Sequence, residues 1–166
     1  MDIATVRQDI ETWITNFVEV PHPSLGGWPP CPYARAARLN RTYEVLLGAD
    51  PYYDLKNRAR WGMGNKEVII YAYDPAQWSY THFNQSIESA NQEYLNHRGL
   101  IALEDHPADA EIVNGVCMNQ GTYALALVQN APDLDARAQQ MARQGFYNAW
   151  PEDYLQRLFH GRKDPR

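Results

Sequence analysis

Four short apolar runs, none longer than a strand, alternate with stretches of helical periodicity along the chain, and this alternation restricts the fold more than any other feature. Residues 66–73 form the clearest run, Lys-Glu-Val-Ile-Ile-Tyr-Ala-Tyr, rich in β-branched and aromatic side chains. Three further runs, at residues 43–47, 100–103 and 122–128, have the same character. Between them the apolar residues recur at helical spacing: Ile3, Val6, Ile10, Trp13, Ile14 and Phe17 within residues 2–19, and Phe83, Ile87, Ala90 and Tyr94 further on. Asp74-Pro75 is read as an N-cap and first helical residue for a long helix to about His97, which Gly99 stops. Residues 132–144 and 151–159 give two more helices, and residues 50–65 are ambiguous, a helical turn with a Gly-rich exit being one reading. This order predicts an α+β fold: one four-stranded sheet with helices packed on a face, an α/β sandwich that is ferredoxin-like in outline.

At 166 residues with 45% hydrophobic content, the chain is long enough to bury a core without disulfides or a structural metal, and one domain over residues 1–166 is expected. Its parts are an N-terminal helix (2–19), a Pro/Gly-rich loop (20–31), an α/β core (32–145) and a helical tail (146–166). The formal charge of −5, with fifteen Lys and Arg spread along the chain, argues against nucleic acid as a partner. No run approaches the roughly 20 apolar residues that span a bilayer. The N-terminus lacks the basic start and apolar run of a signal peptide, so a cytoplasmic location without membrane contact is expected. Two cysteines, Cys31 and Cys117, then read as thiols rather than a staple.

The loop at residues 20–31 carries four prolines and two glycines and leads into Pro30-Cys31-Pro32-Tyr33-Ala34-Arg35. With Pro32 at the first helical position, Cys31 falls at the N-cap, where unpaired N–H groups and the helix dipole stabilise a thiolate. Arg35 lies one turn on with Arg38 behind it, either of them an anchor for an anion, and Trp28 and Tyr33 are candidate walls of a binding site. The apolar run at 100–103 ends in Glu104-Asp105-His106-Pro107; alternation puts Glu104 and His106 on one face and Asp105 on the other. His106 is a candidate acid/base or thiolate partner, and Glu104 a candidate to orient it.

Three functions fit these residues. One is an enzyme acting on a small anionic metabolite, with Cys31 as nucleophile or redox thiolate and His106 and Glu104 assisting. Another is a zinc or iron protein whose ligands come from His22, Cys31, His106 and Glu104, although no HxxxH, HExxH or CxxC spacing is present. The third is a non-catalytic module that holds a carboxylate or phosphate. The residues name no cofactor and no oligomeric state.

Cys31-Pro32-Tyr33-Ala34-Arg35, Asp74-Pro75 and His106-Pro107 occur in an order and at spacings that resemble a family of small bacterial proteins of unknown function. Its members carry a Cys-Pro-Phe-Ala-Lys type motif, a strand ending in X-Pro, a long helix and a strand ending in His-Pro. Pro21 to Gly26 is similar to a Pro-His-Pro-x-Leu-Gly segment of a second such group. Asp74 departs from the His usual in the first family, and residues 146–166 match neither. The resemblance implies a shared fold and a shared Cys/His-Pro site without implying a reaction.

Overall fold

The computed structural model describes residues 1–166. In chain order the elements are α1 (Ile3–Trp13), α2 (Ala34–Leu39), β1 (Tyr43–Leu47), α3 (Pro51–Trp61), β2 (Val68–Tyr73), α4 (Tyr80–Ala90), β3 (Leu100–Asp105), β4 (Ile112–Val113), β5 (Val116–Cys117), β6 (Ala124–Asn130), α5 (Ala131–Arg143) and α6 (Glu152–Leu158). Wider and tighter helical turns extend α1 to Val18 and α4 to Arg98.

The fold is α+β, built on a mixed four-stranded sheet in the order β1-β2-β6-β3. β1 and β2 are parallel, joined across α3, and β6 runs antiparallel to both β2 and β3. β2 is buried along nearly its whole length, so both faces of the sheet need cover. Helices therefore lie on both faces rather than on one. Leu55 and Ala59 of α3 and Phe83, Ile87 and Ala90 of α4 cover Ile69, Tyr71 and Tyr73 of β2 and Ala124, Ala126 and Val128 of β6. On the other face Val6, Ile10 and Ile14 of α1 and its extension cover Val45, Ile70, Ala72 and Leu125. A third cluster, with Leu25, Val113, Phe146, Tyr147, Trp150 and Phe159, ties the proline-rich loop to the C-terminal segment.

The helix starts follow side-chain chemistry. Asp2, Asp50 and Asn130 each accept a hydrogen bond from an N–H in the first turn, at 2.9 to 3.1 Å, and Pro51 and Pro132 occupy early helical positions where no N–H is needed. The long helix predicted from Pro75 begins instead at Tyr80. Asp74 caps a turn, its Oδ1 accepting from Ala76 N at 2.9 Å. Both outer strands are met by side chains. The Asn91 amide donates to Ala102 O at 2.9 Å and accepts from Ala102 N at 2.8 Å on β3, and the Arg7 guanidinium donates to Val45 O at 3.3 Å on β1. No helix is long and apolar enough to cross a membrane.

Candidate functional site

The chain approaches α2 from a loop pinned to α1 by a hydrogen bond from Cys31 N to Val18 O, 3.0 Å. After Cys31 it makes one turn before the helix, and the first residue of α2 is Ala34, with Tyr33 in the cap position. The expected N-cap placement of Cys31 is thus corrected. Pro32 lies in the preceding turn; the Cys31 carbonyl accepts from Ala34 N at 3.2 Å, and its thiol also meets the N–H groups of Tyr33 and Ala34.

α2, α5 and the extended end of α1 do not close completely over the sheet. They leave a cavity of about 170 Å³ whose floor is Val68 and Ile70 of β2 and Leu127 and Gln129 of β6. Trp13, Ile14, Val18, Cys31, Tyr33, Ala34, Ala37, Leu134 and Met141 help form the walls. Thirteen of the fifteen lining residues are hydrophobic, the exceptions being Gln129 and Arg137. In this apolar setting desolvation pushes the Cys31 thiol above its ordinary pKa. The backbone N–H groups of Tyr33 and Ala34 and the Arg137 charge pull the other way and do not offset it. Burial at this position works against the thiolate expected from the sequence.

The other predicted residues are dispersed. Tyr33 lines the cavity, its hydroxyl donating to Gln140 Oε1 at 3.2 Å and its ring lying 4.9 Å from the Arg137 guanidinium. Arg35 is exposed and does not line the cavity. Arg38 is held by Glu19 through two hydrogen bonds, 2.9 and 2.7 Å, which keeps the Glu19 carboxyl below its usual range. Trp28 packs edge-on against Phe146, with centroids 5.8 Å apart. His22 caps a turn, Nδ1 accepting from Ser24 N at 3.1 Å.

His106 is on the opposite side of the sheet from Cys31, packed against Tyr80 and Phe83 at the α4 face. It is 2% exposed, and both ring nitrogens are engaged. Nδ1 accepts from Ala108 N at 3.0 Å, so the network assigns the proton to Nε2, which donates to Trp78 O at 2.8 Å. Cys31 and His106 therefore do not share a cavity, and His22, Cys31 and His106 do not form a ligand set. His106 fastens the end of β3 to the start of α4.

Glu104 faces the same side as His106, as the alternation predicts, and meets two residues that the sequence reading missed. Oxygens of Glu104, Asp109 and Glu111 lie within 4.8 Å of one another, near enough to share a cation. Asp109 and Glu111 come from the irregular stretch after β3. The sequence signal for them was four acids within the eight residues 104–111 at a strand end. Glu104 Oε2 is buried without a hydrogen-bond partner. Burial, followed by repulsion from Asp109, Glu111 and Asp105, raises the Glu104 carboxyl to about 8. Burial also raises Glu111, although the Tyr154 hydroxyl donates to its Oε2 at 2.8 Å. The chain thus relieves crowding of these charges by keeping a proton on the cluster near neutral pH. Asp105, on the other face, accepts from Gln120 N and Asn119 Nδ2, both at 2.9 Å, and fastens the returning loop.

No family model, curated protein or solved structure matches the chain.

Proposed function

We propose that the protein is a non-catalytic binding module that takes a small, largely apolar and uncharged molecule into the cavity beside Cys31. The cavity carries this reading: its volume, about 170 Å³, suits a ligand of one or two rings, and thirteen of its fifteen lining residues repel water. The sequence pointed to an anionic ligand, but the one cation at the cavity is already matched. Arg137 forms an ion pair with Glu67 and lies over the Tyr33 ring, leaving Gln129 and the unpartnered indole N–H of Trp13 as polar handles. A thiol whose pKa burial raises, with no histidine among the residues lining the cavity, gives less support to an enzyme in which Cys31 attacks.

Titration of isotope-labelled protein with indole is expected to give saturable NMR shifts at residues 127–137 and 31–37, with benzoate binding more weakly. Cys31→Ser should retain the response, whereas Ala34→Phe, which fills the cavity, should lose it while its circular dichroism is unchanged. At pH 7 iodoacetamide should alkylate Cys31 roughly tenfold more slowly than a model thiol, and saturating indole should slow it further. Absence of any shift at those residues would rule the reading out. Rapid alkylation with a midpoint below about 8.5 would favour the thiolate enzyme instead.

A further inference from the structure

On the opposite side of the sheet, the segment that continues α4 to Arg98 leaves a groove of about 280 Å³ against α3. Lys56 and Arg60 are one helical turn apart on α3 and so share a face. His97 and Arg98 reach the groove from the final turn before Gly99, whose φ of 66° lets the chain reverse into β3. All four side chains are exposed.

Ten of the fifteen Lys and Arg residues have no carboxylate within 4.0 Å, and three of these ten meet at this groove. Arg38, Arg137, Arg157, Arg162 and Arg166 each have a carboxylate within 4.0 Å, but Lys56, Arg60 and Arg98 have none. The one acid on the groove, Glu93, already accepts from the Tyr52 hydroxyl. Three cations against one carboxylate leave a formal local charge of +2 within a chain of net charge −5. The Lys56 ammonium also lies 5.1 Å from the Tyr94 ring centre and 6.0 Å from that of Tyr53, which orients it without neutralising it.

We infer that the groove between α3 and the α4 extension is a binding site for the phosphate group of a small molecule. A phosphomonoester carries about −1.5 to −2 charge near pH 7, close to the local surplus, and its oxygens suit guanidinium forks and an ammonium converging from two elements. The short groove and the acidic remainder of the chain favour a compact anion over an extended nucleic acid.

The test is calorimetric and NMR titration of the full chain at low salt with inorganic pyrophosphate and phenyl phosphate. Saturable binding is expected, with shifts concentrated at residues 56–60 and 93–98 and affinity falling as salt rises. The exposed double variant Lys56→Gln/Arg60→Gln, and separately Arg98→Gln, should weaken binding at least tenfold with Tm unchanged. Arg60, His97 and Arg98 also sit in last turns, where basic residues complement helix carbonyls. If that is their whole role, no saturable response will appear up to ~10 mM ligand, and the site is refuted. Equal binding by the variants would also refute it, as would a single-stranded oligonucleotide that binds more tightly than pyrophosphate.

Discussion

Glu104→Gln is expected to stabilise the protein by about 2 kcal/mol at pH 8 to 9 and to leave it nearly unchanged at pH 5. In the folded chain the carboxyl holds its proton up to about 8, whereas its ordinary value is 4.5. Between those values the native state binds a proton that the unfolded state has released. Stability therefore falls as pH rises through this window, and the cost is complete above it. Glutamine removes the charge and offers an amide that can donate to Asp109 or Glu111. The gain is smaller than the shift alone would convert to, because the cluster is partly open to solvent and screened. Asp105 and Glu111 are raised as well, so the variant should keep a weaker slope of the same sign. Urea unfolding of both proteins at pH 5, 7 and 9 measures this. Parallel pH profiles would show that Glu104 is not the proton-holding group.

Gly48→Ala should cost at least about 3 kcal/mol, at the upper end for overpacking. A Cβ at Gly48 would lie 2.0 Å from Cε1 and 2.3 Å from Cζ of Tyr73. Neither side can give way easily. The backbone at Gly48 is held to the sheet by a hydrogen bond from its N–H to Ala72 O, 2.9 Å, and Tyr73 is fully buried against Phe83, ring centres 5.4 Å apart. Denaturant unfolding of Gly48→Ala, Tyr73→Ala and the double variant tests the contact. The double variant should lose markedly less than the two single losses combined. A loss below about 1 kcal/mol in Gly48→Ala would mean that the ring moves aside.

Strands and capped helices were readable because their signals are local. The run at 66–73 became β2 at Val68–Tyr73, and the helix predicted at 132–144 became α5 at Ala131–Arg143. The Asp-Pro pairs show the limit of local reading. Asp50-Pro51 starts α3, which the sequence left ambiguous because only Leu55, Ala59 and Pro51 in it are buried. Asp74-Pro75 makes only a turn, since Trp78 packs against the core and gives its carbonyl to His106 before the helix begins. The cavity was illegible for a stronger reason. Its walls come from α1, α2, α5, β1, β2 and β6, and the position of Cys31 depends on a bond to Val18, none of which leaves a pattern in adjacent residues. Glu104 was found from its strand end, but its partners Asp109 and Glu111 depend on how an irregular loop folds back.

Asn91 and Arg7 occupy hydrogen-bonding groups at the two margins of the sheet, on β3 and β1. A free margin would offer a template on which another extended chain could zip. Here recruitment of a fifth strand would first have to displace the Asn91 amide or the Arg7 guanidinium. Each margin is thereby a poorer template for strand addition, whether by another chain or by a second copy of this one.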